Sequence, residues 1–168
     1  EIALGAAGYP ASLAPDQAAR MIVLLDAPHY EAGDHLLTWE GQGEILVETP
    51  AGELVLDDTG DAIAENRATV TLPEGAEEMY LFLSITETDP ADPLRDIRLL
   101  TPGTQPGDPI FSDSLIENLA PFPTIRLMDW NKTNWGDHGA WEDRAREDWA
   151  SWSAGETGRF GVGVPYEV

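Results

Sequence analysis

Five of the six tryptophans fall between Trp130 and Trp152, directly after the strand-like run Thr124-Ile125-Arg126-Leu127-Met128-Asp129-Trp130. Indole is large and costly to leave in water, so such a cluster either fills a local core or forms a surface on which flat ligands stack. Outside the cell, the commonest flat ligand with an apolar face is a sugar ring. Asp129, Trp130 and Asn131 stand where the strand-like run gives way to a loop, with Asn134 and Trp135 just beyond. As a binding site, Trp130 floors a sugar ring, Trp135 adds a second aromatic surface, and Asp129 with Asn131 or Asn134 hydrogen-bonds hydroxyls. The competing reading is that Asp129 caps the loop or pairs with Arg126 while Trp130 fills core.

Other chemistry is less sharply marked. Glycoside hydrolysis needs two carboxylates roughly 5–10 Å apart across the scissile bond. Asp129, Glu142, Asp143 and Glu167 are available in the tail, but no spacing singles out a pair, so the catalytic residues stay unknown. Asp57-Asp58-Thr59-Gly60-Asp61 offers oxygen ligands from Asp57, Asp58 and Asp61 to calcium, the one cofactor the residues suggest. It lacks the alternation and distal Glu of an EF-hand loop, and a solvated acidic turn competes with it. Asp89, Asp92 and Asp96 make a second acidic stretch of the same kind. His29, His35 and His138 are scattered and read as surface or edge residues, not zinc ligands. No Gly-x-Ser-x-Gly elbow occurs, and Gly161-Val162-Gly163 lacks the rest of a dinucleotide fingerprint. Trp39 and Tyr80 on one reading present aromatic faces to a glycan; each lies in an otherwise apolar run, which favours core.

The elements that must position these residues are mostly short strands. Met21–Leu25, His35–Trp39, Glu44–Thr49, Glu53–Asp57, Arg67–Leu72, Met79–Thr86 and Arg95–Thr101 are strand-length runs separated by Gly- and Pro-rich turns. Alternation is clear in Ala68–Leu72 and Leu81–Ile85. Seven such runs without a long helical period predict a mainly β chain, an antiparallel β-sandwich. Three prolines and two glycines in Thr101–Pro109 then mark a break. The expected domains are a sandwich over 1–103, a linker over 104–110 and an α/β, tryptophan-rich segment over 111–168. In that last segment Ser112 caps a short helix with Phe111, Leu115 and Leu119 on one face, and Pro121 ends it. Ile125–Trp130 reads as a buried strand. Trp141, Ala145, Trp149 and Trp152 predict a helix over 140–152.

Composition narrows the partners. The net charge is −22 with a single lysine, Lys132, a field that repels nucleic acid and anionic membranes alike. It suits a salty or extracellular setting, where ions screen the repulsion among the acids. No cysteine is present, which excludes disulfides, thiolate metal sites and a cysteine nucleophile. Met21–Leu25 is far too short to span a bilayer. Position 1 is Glu, so a processed, exported chain or a piece of a longer protein is expected.

The tail wording Phe111-Ser112-Asp113, Leu115, Leu119-Ala120-Pro121-Phe122, Ile125–Trp130, Thr133-Asn134 and Gly163-Val164-Pro165-Tyr166-Glu167 resembles a family of large exported bacterial proteins described as cellulose-binding or glycoside-hydrolase-like. The match covers about the last sixty residues; Glu40–Glu44 and Thr88–Asp92 followed by Arg95–Arg98 extend it loosely into the β-rich part. The resemblance implies a jelly-roll module before a (β/α)-barrel, with Ile125–Trp130 as the first barrel strand and Asp129 to Asn134 at its ligand-facing end. Most of a barrel is missing, so it implies glycan recognition here and hydrolysis, if any, in a longer molecule. The expected partner is a polysaccharide and the expected location extracellular or periplasmic. The alternatives are a self-associating subunit of an extracellular filament or surface layer and a calcium-dependent adhesion module.

Overall fold

The computed structural model of the protein describes residues 2–24, 31–49, 52–54, 66–73, 80–111, 113–125, 141 and 145–150. Its strands, in chain order, are β1 (Ala3–Leu4), β2 (Pro10–Ser12), β3 (Ala19–Leu24), β4 (Gly33–Glu40), β5 (Gly43–Thr49), β6 (Gly52–Leu54), β7 (Arg67–Leu72), β8 (Leu81–Thr88) and β9 (Arg95–Leu100); the helix α1 is Asp113–Leu119. The chain divides into two compact units, Glu1–Pro106 and Gly107–Val168.

The first unit is mainly β, and each of the seven expected runs overlaps a strand. A four-stranded sheet has the order β3-β8-β5-β6 and a three-stranded sheet the order β7-β4-β9, with every pair antiparallel. β1 and β2 form a separate small ribbon. Period-2 alternation sorts the side chains of each sheet into two faces. In β4 and β7 the buried set is His35, Leu37, Ala68, Val70 and Leu72, with His35 opposite Val70 and Leu37 opposite Ala68. In β5 and β8 the buried apolar set is Ile45, Val47, Leu81, Leu83 and Ile85, with Ile45 opposite Ile85 and Val47 opposite Leu83; Ser84 and Thr88 of β8 are buried as well. Each sheet therefore buries one face, a sandwich-like arrangement. A fully buried Leu, Ile or Val contributes about 1.5–3 kcal/mol from lost apolar exposure alone.

The order of pairing is nested. β5 pairs with β6, β4 with β7, and β3 with β8, so each pair encloses the previous one along the chain. β9 then adds to the free side of β4. Tyr9, just before β2, is buried, and its hydroxyl accepts the Ile97 N–H of β9 at 3.1 Å, tying the N-terminal ribbon to the strand series.

Two residues depart from expectation here. His35 is not at the surface: alternation turns it inward with Leu37, and its Nδ1–H donates to the Gly33 carbonyl at 3.3 Å. Tyr80 is not core: Leu81, Leu83 and Ile85 take the inner face, which turns Tyr80 and Phe82 outward, and Tyr80 is 41% exposed. Trp39 is half-buried.

In the second unit α1 appears where the four-residue spacing puts it, with Asp113 in its first turn. Phe111, Leu115 and Leu119 form its half-buried side, whereas Ile116 is exposed. The helix expected over 140–152 is not seen at residues 145–150, which form an irregular turn. There the Trp149 N–H donates to the Arg146 carbonyl at 3.1 Å, and the Arg146 guanidinium pairs with Asp148 at 3.1 Å. Side chains two apart do not face each other on a helix, so that ion pair belongs to the turn.

Candidate functional site

The β4–β5 turn and the β8–β9 loop are clasped together, and they contain the stretches Glu40–Glu44 and Thr88–Asp92 singled out in the sequence. The Gln42 N–H donates to the Asp92 carbonyl and the Asp89 N–H to the Gln42 carbonyl, both at 2.8 Å. Glycine is required on both sides of Gln42. Gly41 has φ of +85°, and a Cβ there would fall on the Pro93 carbonyl; a Cβ on Gly43 would fall on the Glu87 carbonyl and the Leu94 side chain. Leu94 is fully buried, and its N–H donates to the Thr88 hydroxyl at 2.9 Å. Outside the clasp, Arg95 bridges Asp92 at 2.7 Å and Glu40 at 3.0 Å. The Asp92 hydrogen bond, helped by the charges of Asp92 and Glu40, raises the Arg95 guanidinium above its ordinary value. Beside the clasp lies an open hollow of about 600 Å³ lined by Gln42, Gly43, Glu44, Glu87, Thr88, Asp89 and Pro90. Its lining offers amide, hydroxyl and carboxylate groups, a set that suits a ligand rich in hydroxyls.

Sequence reasoning weighed Tyr80 as an aromatic face for a glycan but favoured core, and so missed the row of planar groups on the outer face of the four-stranded sheet. The Tyr80 and Phe82 rings stack with centroids 6.4 Å apart and planes 17° apart. The Arg20 guanidinium lies over the Phe82 ring, 4.1 Å from its centroid. Ile22, opposite Phe82 across the β3–β8 pair, is 55% exposed. Further along the same face the Ser84 hydroxyl donates to Glu48 at 2.6 Å, with Arg20 3.5 Å from that carboxylate, and the Thr86 hydroxyl donates to Glu44 at 2.7 Å. The signal that could have found this row was present in Leu81–Ile85: the parity that buries the odd positions exposes Tyr80 with Phe82.

The sites expected in the sequence lie elsewhere. Asp129, Trp130, Asn131, Asn134 and Trp135 fall outside the described residues, as do Asp57, Asp58 and Asp61, and so do His29 and His138. Among the tail tryptophans that are described, Trp149 is buried and Trp141 is 65% exposed. The second acidic stretch has other work: Asp89 Oδ1 accepts the Ala91 N–H at 2.8 Å, Asp92 holds Arg95, and Asp96 pairs with Arg98 at 2.9 Å. Among the described residues, no group of three or more His, Asp or Glu side chains is placed to hold a metal ion, and no helix is long and apolar enough to cross a membrane. Neither a protein-family model, nor a curated protein, nor a solved structure matches this chain.

Proposed function

We propose that this protein is an exported carbohydrate-binding protein that recognises polysaccharide. The observation that carries the reading is the Arg20–Phe82–Tyr80 row, in which an exposed phenol ring ends a stack of planar groups on an outward sheet face. Such rings stack on the apolar faces of sugars, while neighbouring carboxylates and hydroxyls accept and donate to sugar hydroxyls. The nested pairing of β3 to β8 supports reading the first unit as a jelly-roll-like module. With the second unit's motif order it also supports the likeness to glycoside-hydrolase-like exported proteins. The large negative charge and the absence of cysteine suit an exported location. Affinity electrophoresis in gels containing neutral polysaccharides tests it. Tyr80→Ala lowers the affinity roughly two- to twelvefold, the range that corresponds to loss of one aromatic stack. Trp130→Ala and Trp135→Ala, measured in the same gels, test the tail as a second contact. Mobility unaffected by every polysaccharide tried would end the reading.

A second reading, an assembly subunit, is favoured by the exposure of Ile110, Ile116, Phe122 and Ile125 in the second unit. Apolar surface of this kind is commonly covered by another chain. Light scattering separates the two: concentration-dependent polymers without glycan affinity support assembly, and a glycan-binding monomer supports recognition.

A further inference from the structure

Resting on the carbohydrate reading, we infer that the outer face of the four-stranded sheet binds an uncharged glycan chain lengthwise along β8, from Tyr80 to the hollow at Thr88. The exposed groups on this face run in order along β8; Ser84, in their midst, is buried and its hydroxyl is held by Glu48. Tyr80, Phe82 and Ile22 make an apolar end. The Arg20–Glu48 pair then crosses β8 at Ser84, since Arg20 stands opposite Ser84 on β3 and Glu48 opposite Phe82 on β5. Thr86 and Glu44 come next, and Glu44 itself lines the hollow with Gln42, Glu87 and Thr88. At the rise of an extended strand, Tyr80 to Thr88 spans about 26 Å. That is far longer than one sugar ring, so a short ligand reaches only one end of the strip.

The charges select the class of chain. Glu44, Glu48, Glu87 and Asp89 border the strip or its hollow, against Arg20 on the same face, in a molecule of net charge −22. Uronate or sulfate groups would meet like charge at Glu44, Glu87 and Asp89 about the hollow, whereas neutral hydroxyls find acceptors in those carboxylates and a donor in the Gln42 amide. Recognition is therefore distributed along the chain and does not depend on a free terminus.

Isothermal titration with cellobiose, cellohexaose and polygalacturonate tests this. The hexasaccharide is expected to bind roughly tenfold or more tightly than the disaccharide, and the uronate polymer not at all. Tyr80→Ala weakens both neutral ligands. Gln42→Ala, which keeps the backbone bonds of the clasp, weakens only the hexasaccharide, by roughly two- to twelvefold. Equal affinity for the two lengths, or a Gln42→Ala effect on neither, overturns the lengthwise strip but leaves Tyr80-dependent sugar binding standing. Tight binding of polygalacturonate overturns the charge selection. Failure of all three ligands to bind overturns the strip, and the gels with other neutral polysaccharides then decide whether the carbohydrate reading stands.

Discussion

Gly41 and Gly103 both sit at positive φ, +85° and +82°, yet they answer different demands. Around Gly103 nothing lies within 4 Å of an added Cβ, so Gly103→Ala carries the left-handed backbone cost alone, about 1–2 kcal/mol. Gly41 is seated against Pro93, and a methyl group there must also push the β8–β9 loop off the turn. The expected loss for Gly41→Ala is roughly 3 kcal/mol or more. Urea midpoints of the two variants measure the difference; equal losses would mean that the clasp yields freely and does not fix the loop. The two positions look alike as letters, each a glycine beside a turn. Only the close approach of a distant carbonyl separates them, and no local pattern carries that information.

At the level of elements, the strands were legible because their physics is local: alternation and turn residues suffice to mark β3 to β9. β1 and β2 escaped notice because two or three residues hold no period, and Pro10 argues against a strand. The α1 face Phe111, Leu115, Leu119 was readable for the same reason as the strands. The turn at 145–150 was not, since the spacing of Trp141, Ala145 and Trp149 matches a helix equally well. Tyr80 was misread by weighing the hydrophobicity of its run above the parity of its position. Burial sets the energetic ranking of these elements. Leu37→Ala, in the middle of β4, should cost about 2–5 kcal/mol, whereas Ile22→Ala on the outer face of β3 should stay within about 0.5 kcal/mol. Thermal unfolding of the pair checks this, and a large Ile22 effect would show the outer face to be covered. α1 has seven residues and buries none of them fully, so packing supplies little of its stability. Hydrogen exchange should therefore be much faster over Asp113–Leu119 than over Leu81–Thr88; comparable protection would mean that α1 is held by contacts of another kind.

For the whole molecule, charge is the dominant quantity. Thirty-one acidic residues against nine basic ones give a chain that repels itself. Arg20 with Glu48, Arg95 with Glu40 and Asp92, Arg98 with Asp96 and Arg146 with Asp148 are all pairs of partly exposed groups. Surface pairs of that sort contribute little, so the repulsion is offset mainly by the core and by dissolved ions. Raising salt from 0.01 to 1 M shortens the screening length from about 30 Å to about 3 Å. The melting temperature should rise steadily over that range, and a flat profile would show that the acids are already spaced or paired well enough to be harmless. Glycan binding by the strip, which involves uncharged ligands, should change little over the same range. The two effects are thus separable in one series of measurements.

The clasp also has a consequence for how the protein is made. Its halves are supplied by the fourth and fifth strands and by the loop after the eighth, so it closes only once a long intervening stretch has been synthesised and laid into the sheet. Closures between such distant partners are slow to form. A nascent polypeptide paused on the ribosome before Thr88 would carry Gly41 and Gly43 with nothing to seat against, and the native architecture would wait for the last strands to emerge.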